Sequence, residues 1–366
     1  MSFFSPQKKE SSCAVIFLNS GSVEAGIFSS DSKNKINFFI KENLKFVQDI
    51  NPQILEKETF LALKKILSEI FTINHSEKPD KVFFVLGAPW YISTVISIDI
   101  KKNISFFVSK DEIVKELEVK SLENNTDYSV IESKIITILA NGYELTELKG
   151  KKAKHVFAKA ITNISEKKFL QKITSETEKF FPEAQIKIHT IPSISVNEIS
   201  EKIGSNNFLL ALSEDEITEI CLVKDNKSIE NISVPFGKNT YIRAIINHNL
   251  AADSSSANSI LKMFEEGHIE TAKKQALEKI VVETNSKCLQ ILKDALFQYI
   301  NKGNHFEAVA VLSSSKEINH ILKNIFNDPY INSIGKNDFV KILLSKNINE
   351  SALFSSAISG IKSLYF

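Results

Sequence analysis

The residues in this chain that could do chemistry sit in turns, not at the spacings of metal or nucleophile sites. His75, His155, His189, His248, His268, His305 and His320 are scattered, with no HExxH or His-x-His pattern. No G-x-S-x-G, GxxxxGK(S/T) or GxGxxG sequence occurs, and only 11 glycines are present, which argues against a glycine-rich phosphate enzyme. Paired carboxylates such as Glu265-Glu266 fall at helix ends and read as solvated charge. Three turns remain: Asn19-Ser20-Gly21-Ser22 after the apolar run at 13–18, Glu214-Asp215-Glu216 after the apolar run at 209–212, and Ser313-Ser314-Ser315 after a strand expected over 307–312. A turn after a buried strand can cradle a phosphate if its backbone N–H groups point inward and no side chain stands in the way. The first turn reads in preference as an ordinary hairpin in which Gly21 supplies a positive φ.

Composition narrows the class. The 366 residues suffice for two or more domains, and 43% hydrophobic content with 26 Phe can fill a sizeable core. A net charge of +1 argues against a general nucleic-acid binder and against a strongly basic membrane-surface protein. Arg243 is the single arginine; the excess of Lys, Asn, Ile and Phe reads as AT-rich coding and not as a binding adaptation. Cys13, Cys221 and Cys288 are widely spaced, which fits buried or free thiols in a reducing compartment better than a disulfide or zinc framework. Neither a signal peptide nor an apolar run of about 18 residues is apparent, so a cytoplasmic protein with no direct membrane insertion is expected.

The elements that must position these turns follow from periodicity. Residues 1–12 are polar and expected to be frayed. Strands are expected at 13–18, 23–29, 36–40 and 81–86, with an amphipathic helix at 56–73 carrying Phe60, Leu63, Leu67, Ile70 and Phe71 on one face. The crossover implies a mixed sheet covered by helices. A small α+β unit follows, with strands at 92–100, 105–108, 129–139 and 155–164 and a helix at 111–122 capped by Ser109. Asn141-Gly142 is a hairpin signal. A helix at 166–181, a strand at 185–190 and a helix at 195–203 opened by Pro192-Ser193 return the chain to the first domain. Then come strands at 209–212, 217–223 and 228–234, the break Pro235-Phe236-Gly237, and a helix capped by Asn239 or Thr240 and running to about 249. Helices are expected at 254–266, 270–302, 316–326 and 352–364.

This order resembles the actin-like ATPase superfamily, and within it the FtsA and PilM proteins of cell division and type IV pilus assembly. Pro235 and Gly237 match the family's Pro-x-Gly-Gly. Gly21 and Ser22 match its first phosphate loop, where Asn19 replaces a magnesium-side Asp. Thr218 alone survives of the second phosphate loop, whose Asp is replaced by Leu212 and whose glycines are replaced by Glu214, Asp215 and Glu216. Lys262 matches the nucleotide-facing helix, although Ser259 takes the Glu position, and Ser313, Ser314 and Ser315 stand where the family has three glycines. The stretch around Asn141, Gly142 and Tyr143 resembles the inserted subdomain that binds partners in FtsA and PilM, with Lys149 in place of a proline.

The resemblance implies an α/β (α+β) fold: a duplicated, ribonuclease H-like actin fold of two lobes with a small α+β insert. Expected divisions are 13–90 and 166–205 for the first lobe, 91–165 for the insert and 206–366 for the second lobe, with a helical part near 254–303 and a closing helix near 350–364. ATP and magnesium would lie between the lobes if the loops still serve. Like charges about 4 Å apart cost roughly 4 kcal/mol at an effective dielectric of about 20. A micromolar ligand is worth about 8 kcal/mol in total. Two clashes between carboxylate and phosphate would therefore cancel binding unless the side chains swing out to solvent. The expectation is a scaffold that binds no cofactor, recruiting the cytoplasmic tail of an inner-membrane pilus or division protein and leaving self-association open. An active nucleotide switch is the alternative. No counterpart of FtsA's C-terminal membrane helix is expected, which makes PilM the nearer analogue in this reading.

Overall fold

The computed structural model describes residues 12–29, 37–73, 78–123, 126–300, 306–332, 340–343 and 350–365. The frayed segment expected at the N-terminus, apart from Ser12, lies outside them, as do Ile36, His75 and His305.

In chain order, the first part comprises β1 (Ser12–Leu18), β2 (Ser22–Ser29), β3 (Phe38–Asn43), α1 (Pro52–Ile73) and β4 (Lys81–Leu86). The chain then runs through β5 (Ile92–Phe107), α2 (Lys110–Leu122), β6 (Tyr128–Ala140), β7 (Tyr143–Glu144) and β8 (Lys152–Glu166). It returns through α3 (Lys167–Glu178), β9 (Gln185–Thr190) and α4 (Ile191–Ile203). The second part holds β10 (Phe208–Ser213), β11 (Thr218–Lys224), β12 (Lys227–Val234), α5 (Lys238–Asn247), α6 (Ser254–Glu265) and α7 (Thr271–Ile300). It ends with β13 (Ala308–Ser313), a 3₁₀ turn at Lys316–Ile318, α8 (Asn319–Phe326), α9 (Pro329–Asn332), β14 (Val340–Ile342) and α10 (Ala352–Tyr365).

Two five-stranded sheets have the same plan. Their orders are β3-β2-β1-β4-β9 and β12-β11-β10-β13-β14. In each, the first three strands form an antiparallel meander and the last two join in parallel. The duplication is visible in register: Leu18 faces Val23 at the first hairpin, and Ser213 faces Thr218 at the second.

Alternation along the strands sets the layers. Ala14, Ile16 and Leu18 of β1 point toward α1 and α3, whereas Cys13, Val15 and Phe17 point the other way. In β10, Leu209 and Ala211 face the α5–α8 side, and Phe208, Leu210 and Leu212 face inward. The two inward faces share one core, filled by α4 and α10. Both faces of each central strand are thus buried, which is why these strands read as continuous apolar runs.

The β5–β8 unit is a separate sheet, ordered β5-β8-β6-β7, with α2 on one face. Its two expected strands at 92–100 and 105–108 form one long β5 with an irregularity between Lys101 and Phe106. The Ser109 cap is present, accepting the Glu112 amide at 3.4 Å. Helix α1 starts earlier than expected because Asn51 caps it, its Oδ1 accepting the Gln53 amide at 2.9 Å. Helix α5 is capped at Gly237, not at Asn239 or Thr240; the Thr240 hydroxyl instead accepts the Gly237 N–H at 3.1 Å. The helix expected at 316–326 is split into a 3₁₀ turn and α8, and β14 and α9 carried no sequence expectation.

Candidate functional site

The hairpin turns of β1–β2 and β10–β11 meet between the lobes. Asn19 is fully buried and closes its own turn: its Oδ1 accepts the Gly21 and Ser22 amides at 2.8 and 2.7 Å, and its Nδ2 donates to Ser22 Oγ at 2.9 Å. The remaining amide of the turn, Ser20 N–H, donates to Glu214 Oε2 across the interface at 2.6 Å. Ser20 Oγ accepts the Glu216 amide in return at 3.1 Å. A side-chain carboxylate thus occupies the hydrogen-bonding position that an anion would take.

The acidic turn faces inward, not to solvent. Glu214, Asp215 and Glu216 are 2%, 8% and 4% exposed. Each has its own compensation. Glu216 forms a two-pronged pair with Arg243, at 2.7 and 2.8 Å, and accepts from Asn239 Nδ2 at 2.7 Å. Asp215 pairs with Lys238 at 3.3 Å and accepts from Ser314 Oγ at 3.0 Å. Burial pushes the Glu214 carboxyl well above the ordinary range, against the pull of the Ser20 hydrogen bonds, which favours its neutral form and relieves the crowding of like charge.

Three glycines make room for this turn. A Cβ on Gly21 would overlap the Asp215 side chain, one on Gly87 would overlap Glu214 Oε1, and one on Gly237 would overlap the Glu214 and Asp215 backbone. Gly21 is not in the left-handed region, so the hairpin needs it for close approach and not for a positive φ. The carboxylates are therefore packed parts of the interface.

The other sequence-predicted residues divide into two groups. Thr218 is fully buried and donates to the Phe236 carbonyl at 2.7 Å, tying the second hairpin to the Gly237 loop. Ser22 Oγ donates to the buried Glu24 at 3.3 Å. Ser313 closes its own turn, donating to the Ser315 carbonyl at 2.7 Å. These residues gather around the lobe interface. Lys262 does not: its side chain is 59% exposed and lies 4.0 Å from Glu266. Asn141 (φ 50) and Gly142 (φ 87) form the β6–β7 turn, with Asn141 Oδ1 accepting the Lys154 and His155 amides at 3.1 Å. Tyr143 beside them is 78% exposed.

A cavity of ≈280 Å³ remains next to the acidic turn, lined by Lys41, Lys238, Asn258, the serines Ser313–Ser315 and Asn319 among others. The amide oxygens of Asn258 and Asn319 are buried with no hydrogen-bond partner among the described residues. On the side where the two hairpins face each other, Glu214 holds the Ser20 amide and Asp215 fills the space over Gly21.

Sequence reasoning missed three participants. Glu24 and Glu219 occupy matching hairpin positions, opposite Phe17 and Leu212, and both are buried. Glu24 is paired with Lys41 at 3.1 Å and Ser351 at 2.9 Å. Glu219 accepts from Tyr91, and its other oxygen has no partner among the described residues. A lone carboxylate inside an apolar strand was the available signal. Arg243 also donates to the Val47 and Gln48 carbonyls at 2.9 and 3.0 Å, joining the lobes. The signal there was its being the one Arg among Lys, since only the guanidinium fork can hold a carboxylate and two carbonyls together.

A second concavity, ≈270 Å³, lies where the β5–β8 unit meets α1 and α3. Gln53, Leu55, Trp90, Tyr91, Ile92, Tyr128 and Phe169 line it. Trp90 stacks on Phe169 at 4.8 Å, and Ile92 and nearby Ile54 are exposed.

No known protein family's profile matches this sequence, and no curated protein matches it. Solved structures do match. The PilM–PilN type IV pilus biogenesis complex aligns over 95% of this chain and 98% of its own, with TM-score 0.66 and 9% identity. MreB 5 of Spiroplasma citri bound to AMPPNP aligns over 97% and 96%, with TM-score 0.51 and 10% identity. The ethanolamine utilization protein EutJ from Carboxydothermus hydrogenoformans aligns over 96% and 89%, with TM-score 0.50 and 7% identity. With its twice-repeated five-stranded sheet and its facing hairpins, the chain has the actin-like ATPase fold.

Proposed function

We propose that this chain is a non-catalytic actin-like scaffold that recruits protein partners in a membrane-associated complex, with type IV pilus assembly the role that fits best and cell division the other. One observation carries the non-catalytic part: Glu214 Oε2 sits on the Ser20 amide, so the phosphate cradle is occupied by the protein itself. The partner reading is supported by the apolar groove between α1, α3 and the β5–β8 unit, and by likeness in fold to a protein solved in complex with a pilus partner. No helix among the described residues is long and apolar enough to cross a membrane. In this reading, attachment to the membrane goes through the partner's tail, held by an apolar anchor in the groove.

Equilibrium binding with labelled ATP and magnesium tests this reading. The expected result is no saturation at micromolar nucleotide; saturable binding there would reverse it. A retained nucleotide switch is the second reading, and the observation favouring it is the ≈280 Å³ cavity with the unpartnered Asn258 and Asn319 oxygens.

A further inference from the structure

The segment Gly87–Tyr91 touches both the lobe interface and the groove. Gly87 abuts Glu214 Oε1. Trp90 donates its indole N–H to the Asn19 carbonyl of the first hairpin at 3.2 Å. Tyr91 donates to Glu219 of the second lobe. The same Trp90 and Tyr91 line the groove, so its wall is bonded to both hairpins.

We infer that the Glu214 and Asp215 side chains take the place of a bound anion as hydrogen-bond acceptors: they join the two hairpins without a ligand and, through Gly87–Tyr91, hold the partner groove in its binding shape. In a ligand-driven actin-like protein, an anion between the hairpins would have to arrive before the lobes close. Here the equivalent contacts come with folding, at no translational cost. The glycines at 21 and 87 are small because these two carboxylates lie against them. Removing both carboxylates frees the Ser20 amide, Ser314 Oγ and Lys238 Nζ, donors from both lobes that an added anion can bridge. The closed state then depends on ligand, as a two-state equilibrium biased by differential binding. This inference rests on the reading of the cleft as self-occupied.

Trp90 is the single tryptophan and is 9% exposed, so its emission reports the groove directly. The probe is inorganic pyrophosphate added to the full chain. Wild type is expected to show a blue, weakly quenched emission that pyrophosphate does not alter. The Glu214→Ala/Asp215→Ala variant is expected to shift to the red and to quench more strongly with acrylamide. Millimolar pyrophosphate should return it toward wild type. Glu214→Gln keeps an acceptor for Ser20 and should behave as wild type. In parallel, the Ser20 amide in Glu214→Ala should exchange with solvent about tenfold faster or more. Should the double variant fail to fold, single Glu214→Ala carries the emission and exchange comparison without the pyrophosphate arm, because Asp215 still holds Ser314 and Lys238. Emission and exchange unchanged in the alanine variants overturn the inference and leave the proposed function standing. A saturable response of wild type to pyrophosphate overturns both, because the cleft would then be open.

Discussion

Glu219 lies in β11 with one oxygen bonded to Tyr91 and the other without a partner among the described residues. Burial raises its carboxyl from 4.5 to about 7, and the Tyr91 hydrogen bond pulls back only part of that shift. The folded value is above the unfolded one. Stability from this group is therefore fully present below about pH 4.5 and is lost as pH rises through about 7. The size of the loss is about 3 kcal/mol over that window. Glu219→Gln keeps the acceptor for Tyr91 and cannot ionise. Urea unfolding at pH 5 and pH 8 should show wild type weakening relative to the Gln variant; parallel profiles would contradict the buried-acid account. Arg243 belongs to the same scale. Its fork meets Glu216 while its remaining donors meet Val47 and Gln48, contacts that no lysine would reproduce together.

Between the two sheets, α4 and α10 form the central layer, and their contact is close because of one residue. A Cβ on Gly360 would overlap the Ile194 carbonyl of α4. Backbone cannot turn aside as a long side chain can, so Gly360→Ala must push the helices apart. The expected destabilisation is about 1–3 kcal/mol. Ser359→Ala on the same helix should stay within about 0.5 kcal/mol. Thermal or denaturant unfolding of the two variants separates these outcomes, and equal stability would mean that α10 sits farther from α4. Hairpin turns act at this scale as well. Asp225 (φ 51) and Asn226 (φ 59) turn β11 into β12, and Asn141 with Gly142 turns β6 into β7; the side-chain types alone announce both.

For the whole molecule, the groove and the lobe interface are two ends of one bonded path. Trp90 and Ile92 line the groove where the proposed partner would sit, and Trp90 contacts Asn19. Ile92→Glu puts a charge on the groove's exposed apolar rim without touching the core. Affinity for the partner co-purified from the native host should fall about tenfold or more. The melting temperature should move by no more than about 2 °C. Unchanged affinity would remove the groove from the proposed function and point to the tip at Tyr143 instead.

Most of the elements were legible because they rest on local pattern. The buried strands β1, β4, β10 and β13 are continuous apolar runs, the amphipathic face of α1 repeats at helical spacing, and Asn, Asp and Gly mark the turns. Those signals depend on which face each residue presents, and chain order alone carries that. The fate of the acidic turn was not legible. In sequence, Glu214-Asp215-Glu216 reads equally as a solvated loop or as an obstacle in the cleft. Only the tertiary structure brings Ser20, Lys238, Arg243 and Ser314 around it. The reason is physical: a buried carboxylate is tolerable or prohibitive according to the donors and cations within about 4 Å of it. Those partners come from positions as far as 194 residues away in the chain.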